Sequence, residues 1–198
     1  MITPTANHRP SGGPPAPPVR WRCPVEPWGC AVPALTYPHV GATETGELPA
    51  GWRHVRHRVR LPDSCFPAAG DAVLGWRLHR AAGIRIDAAA ERAAPGIRVV
   101  SGLGVGPLRL AAPCEVVWAV DDGRRAGFGY GTLPGHPARG EEAFVVSHDA
   151  AGRVWFEVVA FSRPDRWVMR AAGPAGRAFQ RAYAWWLGRT LRRLCARP

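Results

Sequence analysis

Residues 153–195 read RVWFEVVAFSRPDRWVMRAAGPAGRAFQRAYAWWLGRTLRRLC, and the change of period inside them decides the fold. From Val154 to Phe161 apolar side chains fill both sides of a period-two pattern, with Val154, Phe156, Val158 and Ala160 on one side and Trp155, Val159 and Phe161 on the other. A strand with two apolar faces should be covered on both. In Ser162-Arg163-Pro164-Asp165 a Ser stands three residues ahead of an acid, with Pro in the first turn, which predicts a helix start. Pro174 is expected to kink or split that helix. Beyond it Phe179, Ala182, Tyr183, Trp186, Leu187, Thr190, Leu191 and Leu194 recur at helical spacing as one wide apolar stripe. Arg177, Arg181, Arg189 and Arg192 lie largely off the stripe. A basic amphipathic helix can rest on a membrane, but after a sheet it more often covers that sheet, and this is the expectation.

Upstream, the period stays at two. Strands are expected at 97–101, 108–120, 125–133, 141–148 and 153–161, separated by breaks such as Asp121-Asp122-Gly123 and His148-Asp149-Ala150-Ala151-Gly152. Short turns between successive strands predict an antiparallel meander. Residues 52–61 form a further, half-polar, edge-like strand. Val73, Leu74, Leu78 and Ala81 fall at helical spacing with Gly83 after them, which predicts one helix of about four turns. The fold class is therefore α+β, an antiparallel sheet packed on a long C-terminal helix. Residues 1–33 contain Pro14-Pro15-Ala16-Pro17-Pro18 and are expected to be a disordered leader, with 34–198 as a single domain.

Composition narrows the function classes. The chain has 198 residues, 46% of them hydrophobic, and no apolar run long enough to cross a bilayer. The first twenty residues lack the apolar stretch of an export signal, so a cytoplasmic location is expected. All 26 basic residues are Arg, against 15 acidic residues, for a net charge of +11. They are spread along the chain instead of clustering on one element among aromatics, so nucleic acid is not the favoured partner. The five Cys, at 23, 30, 65, 114 and 195, include no CxxC pair, and neither a disulfide framework nor a zinc site follows. Cys114 and Cys195 read as small buried or half-buried residues, and Cys23 and Cys30 belong to the leader. No cofactor is implied.

Three features could carry chemistry. Gly127, Gly129 and Gly131 strip one face of a strand of side chains, so a helix, a bend in the sheet or a ligand must come close there, the first two being favoured. Gly102, Gly104 and Gly106 end in Pro107 and read as a turn, without the offset or helix of a nucleotide fingerprint. Glu157 stands between apolar neighbours, where burial would raise its pKa or demand a partner, and Glu115 is a weaker case. The loop from Thr132 to Glu142 brings His136 near two acids in a hairpin that can place it beside Glu141 or Tyr130. An imidazole and a carboxylate suit acid–base work, yet no nucleophile or second metal-spaced His accompanies them, and Pro-Gly-His-Pro is equally good turn chemistry.

Thr36-Tyr37-Pro38, Val40-Gly41-Ala42-Thr43, the run from Gly129 to Pro137, Gly140-Glu141-Glu142-Ala143-Phe144 and Ala160-Phe161-Ser162-Arg163-Pro164 together resemble uncharacterised protein family 0548, the domain of unknown function nineteen-ninety. The resemblance covers roughly residues 35–196. That family is similar to the helix-grip superfamily of START and polyketide-cyclase-like proteins, which implies a curved antiparallel sheet wrapped around a C-terminal helix with a cavity between them. The resulting expectation is a binder of a small apolar molecule, with Tyr130, Thr132, His136, Glu141, Glu142 and Glu157 as ligand contacts. One alternative is an enzyme using His136 with Glu141 or Glu142, and another is an Arg-rich interaction module. Oligomeric state and any catalytic residue are left open.

Overall fold

Turn-forming residues at regular intervals force each strand to pair with the one before it, and the sheet is built almost wholly in chain order. The computed structural model describes residues 34–104, 110–165 and 173–196. A short helix α1 (Ala42–Thr45) precedes strand β1 (Arg53–Arg60). A 3₁₀ turn (Asp63–Cys65) leads into α2 (Phe66–Leu74) and α3 (Arg77–Ala81). Then follow β2 (Arg85–Ala88), β3 (Arg98–Leu103), β4 (Leu110–Asp121), β5 (Arg125–Thr132), β6 (Ala138–His148), β7 (Val154–Pro164) and the long helix α4 (Gly173–Cys195). The seven strands form one antiparallel sheet in the order β1-β7-β6-β5-β4-β3-β2, so β1 is an edge strand.

Pleat and register sort the side chains onto two faces. The inner face carries Phe156 and Val158 of β7, Phe144 and Val146 of β6, Phe128 and Tyr130 of β5, and Cys114 and Val116 of β4. Val73, Leu74, Trp76 and Leu78 of α2 and α3, with Ala184, Leu187 and Leu191 of α4, pack against it as the main core. His79 lies wholly inside this core, its ring edge-on to Phe144 at 4.6 Å, and burial pushes its pKa down to about 4. The outer face is covered near β6 and β7 by the segment that holds Tyr37 and α1. There Phe161 receives the rings of Tyr37 and Trp52 at 5.5 and 5.3 Å.

Several expectations change. The single helix expected between Pro62 and Gly83 is broken in two, because Trp76 adopts a left-handed backbone (φ 63) that buries its indole completely and lets Nε1 donate to the Ala90 carbonyl at 3.0 Å. Ser162-Arg163-Pro164 does not start a helix. It continues β7, paired with Gly140, Arg139 and Ala138 of β6, and α4 begins at Gly173, so that Pro174 sits in its first turn, where Pro costs nothing, and does not kink it. The apolar stripe is also turned from its expected position: Ala184, Leu187, Thr190 and Leu191 are buried, whereas Phe179, Ala182 and Trp186 face outward. Strand β2 and helix α1 were not foreseen. The proposed Gly102–Pro107 turn falls partly, and the 1–33 leader with Cys23 and Cys30 wholly, outside the described residues.

Cys65 and Cys195, given no pairing by spacing, form a disulfide across 130 residues, with Cα atoms 5.7 Å apart. It ties the far end of α4 to the turn before α2 and is worth ~2–5 kcal/mol through the unfolded chain. Such a bond persists in oxidising surroundings and is held as two thiols in reducing ones. Among the described residues no helix is long and apolar enough to cross a membrane.

Candidate functional site

Tyr130 and Glu142 are directly paired across β5 and β6, and the pleat points both side chains to the inner face. Ala160 of β7 pairs with Glu142 on the other side. Beyond the end of α2 and α3 the inner face is roofed by the first half of α4, and a cavity of about 370 Å³ remains between them, within the size range of small-molecule sites. Its walls come from Tyr130, Glu142 and Ala160, from Ser101, Leu110 and Ala112 of β3 and β4, from Phe179, Gln180 and Tyr183 of α4, and from His136 in the hairpin loop. The lining is mainly apolar, and of its polar groups Tyr130 is the one hydrogen-bonded to Glu142 among the described residues.

The Tyr130 hydroxyl donates to Glu142 Oε2 at 3.2 Å. Burial raises the Glu142 pKa from 4.5 to about 7, opposed only by that one hydrogen bond, and burial together with the nearby carboxyl drives the Tyr130 and Tyr183 phenols well above their usual value. The cavity therefore presents a carboxyl that is about half protonated near pH 7 and neutral below it, flanked by phenols that stay protonated. Gln180 Nε2 donates to Ser162 Oγ at 3.0 Å, fastening α4 to the end of β7 beside the cavity.

Thr132 lines the same space, but its hydroxyl is 2.5 Å from that of Thr36 and accepts the Gly140 amide at 3.0 Å. His136 also lines it. Its Nδ1 accepts the Ala138 amide at 3.0 Å and lies 2.8 Å from the Ala138 carbonyl, which closes the loop locally, and burial lowers the ring's pKa.

A family model described as Domain of unknown function (DUF1990) matches residues 36–190. The chain belongs to this family. A UPF0548 protein of Deinococcus radiodurans is 36% identical over 167 residues, covering 76% of this chain and 84% of the relative. A UPF0548 protein of Arabidopsis thaliana is 35% identical over 79 residues, which is 36% of this chain and 38% of the relative. Among solved structures, Ara h 8.0201 superposes with a TM-score of 0.52 at 8% identity, covering 75% of this chain and all of that one. A hypothetical protein of Helicobacter pylori gives 0.52 at 11% identity, over 82% and 95% of the two chains. At such identities these likenesses establish the fold alone. This DUF1990 chain has the helix-grip arrangement, a curved antiparallel sheet with a C-terminal helix against it.

Two of the residues named from the sequence lie on the other face of the DUF1990 sheet. Glu141 points outward, where it is 2% exposed and accepts from the Tyr37 hydroxyl at 2.7 Å, the Gly41 amide at 2.7 Å, the Thr43 amide at 2.9 Å and the Thr43 hydroxyl. It anchors the 36–45 segment and does not stand beside His136. Glu157 is also on the outer face, with its side chain 32% exposed and 3.9 Å from Arg56, so the burial expected of it is absent. Glu115 likewise meets Arg98 at 3.3 Å.

The bare face of Gly127, Gly129 and Gly131 is the outer one, and Thr43 of the short helix α1 is among the side chains that approach it at Gly129. The Trp118 indole lies over Gly129 and Tyr37 over Gly131. Trp118 reaches that face because the β4–β5 register shifts between Val116 and Trp118, a bulge that turns the strand's side chains over. Tyr183, Phe179 and Gln180 were missed as wall residues. The signal for Phe179 and Tyr183 was the helical stripe, which does not say which part of it meets a sheet, and Gln180 had none.

Proposed function

We propose that the chain binds a small, largely apolar molecule carrying one polar group in the cavity between β5–β7 and α4. The observation that carries this reading is Glu142, a carboxyl at the inner wall of an apolar cavity whose hydrogen-bond partner among the described residues is the single Tyr130 hydroxyl. Glu142 is half-buried at the cavity wall, and a ligand that hydrogen-bonds its second carboxyl oxygen gains a partner in apolar surroundings, where such a bond counts for more than in water. Below pH 7 the neutral carboxyl suits a hydrogen-bond acceptor such as a carbonyl or hydroxyl oxygen. His136 and Thr132, both committed to backbone or threonine partners, shape the wall in this reading.

Native mass spectrometry of freshly purified protein, together with titration of an environment-sensitive apolar dye, tests it. The dye is expected to bind wild type and to bind Ala160→Trp at least about tenfold more weakly, because the new indole fills the cavity. Equal binding by the two proteins would exclude the cavity as the site. A second reading, acid–base chemistry on the bound molecule, is favoured by the position of the Glu142 pKa near neutrality. It predicts that Glu142→Gln retains a molecule chemically different from any retained by wild type. The same molecule in both would leave binding alone.

A further inference from the structure

The outward side of α4 is unusual for a surface helix. Phe179, Trp185 and Trp186 are 54%, 49% and 39% exposed. Ala178 and Ala182 are exposed between them, and Arg181, Arg189, Arg192 and Arg193 are exposed along the same side. At 3.6 residues per turn these positions share roughly 160° of the helix circumference. No Asp or Glu occurs between Gly173 and Cys195, and the ion pairs among the described residues are all made by other arginines. The guanidinium groups of Arg189 and Arg193 instead lie over the rings of Trp185 and Trp186, 4.8 and 5.5 Å from their centroids. Three large apolar rings in water beside four uncompensated cations form a patch that a monomer in solution gains nothing by exposing.

We propose that this side of α4 docks on an anionic lipid bilayer, the helix lying along the surface with its aromatic rings among the headgroups and its arginines against their phosphates. Charge decides the sign of the partner, since the helix side carries only cations and the chain as a whole has a net charge of +11. The aromatics decide its nature. Trp and Arg are both amphipathic side chains that settle at a lipid–water boundary, whereas base stacking on a nucleic acid needs ring faces free of guanidinium. The docked side adjoins the cavity, for Phe179 and the 46% exposed Leu110 both line it. The proposal stands on the surface alone and holds whether or not the cavity takes a ligand.

Co-sedimentation of the full chain with vesicles is the test. At ~0.1 M salt it should pellet with phosphatidylcholine vesicles containing about a third phosphatidylglycerol, not with pure phosphatidylcholine, and should be released by ~0.5 M salt. Trp185→Ala, and separately the pair Arg189→Gln with Arg193→Gln, should each lower the vesicle-bound fraction at least about tenfold with the melting temperature in solution unchanged. Should either variant melt early, Arg181→Gln with Arg192→Gln reads the same side through residues that touch no ring. Failure to pellet with anionic vesicles, or equal pelleting by the variants that keep the wild-type melting temperature, overturns the proposal. Preferential retention of duplex DNA over the vesicles, lost in the same variants, would overturn it in favour of a nucleic-acid surface.

Discussion

Glu141 and Glu142 are adjacent in β6, and the pleat sends them to opposite faces of the sheet. On the outer face, Glu141 meets two hydroxyls and two backbone amides, brought to it by the chain from Tyr37 to Thr43. Both of its oxygens are fully hydrogen-bonded, and its task is to hold that segment down. On the inner face Glu142 meets one phenol and an apolar space. Two identical side chains on adjacent residues thus mark the difference between a face completed by the protein itself and one that borders a cavity. The outer face is completed by the chain itself, through Tyr37, Thr43, Trp118 and Phe161.

The largest expected effect comes from emptying the closed site. Glu141→Ala leaves the Tyr37 and Thr43 hydroxyls and two amides without their acceptor, and should cost about 3–5 kcal/mol in urea unfolding. A cost below about 1 kcal/mol would show that the 36–45 segment is held by its aromatic contacts instead.

Glu142 should behave in the opposite sense. Its folded pKa, about 7, lies above the ordinary 4.5, so its contribution to stability is complete below pH 4.5 and is lost as pH rises through 7. Gln does not titrate. Glu142→Gln should therefore leave stability near wild type at pH 4 and exceed it by up to about 3 kcal/mol at pH 8, read as melting temperature against pH. A variant that is less stable than wild type at pH 8 would mean that Glu142 is ionised and paired in the folded protein.

A smaller effect tests the glycine face. A Cβ at residue 131 would collide with the Tyr37 ring, so Gly131→Ala should cost ~1–3 kcal/mol and leave dye binding on the inner face unchanged. Loss of dye binding with normal stability would place the cavity on the wrong side of the sheet.

These faces also explain what could be read in advance. The strands were legible because Asp121-Asp122-Gly123 and Asp149-Ala150-Ala151-Gly152 punctuate a steady period of two, whereas the register that pairs Tyr130 with Glu142 was not. Alternation says that Glu141 and Glu142 differ in face, but not which face a helix covers, and so Glu141, Glu142 and Glu157 could not be ranked. The face of Trp118 could not be read either, since a bulge inverts the alternation without any residue type that announces it. Ser162-Arg163-Pro164-Asp165 matches a helix start locally, yet pairing with Ala138, Arg139 and Gly140 keeps it in the sheet, a long-range effect that no short window contains. The Cys65–Cys195 bond is the extreme case, being fixed only by where α4 comes to rest.

That bond also orders events in time. Its partners are separated by 130 residues, among them strands β2 to β7. At ~5–20 residues per second a ribosome needs on the order of ten seconds to pass from the first to the second. Throughout that interval Cys65 is a thiol with no native partner, at the start of a helix that is already able to form, and any cross-link it makes earlier is a wrong one. The native pair can therefore appear only after the strands β2 to β7 and nearly all of α4 have been synthesised. Its appearance on a non-reducing gel would mark a time by which the second partner has been made.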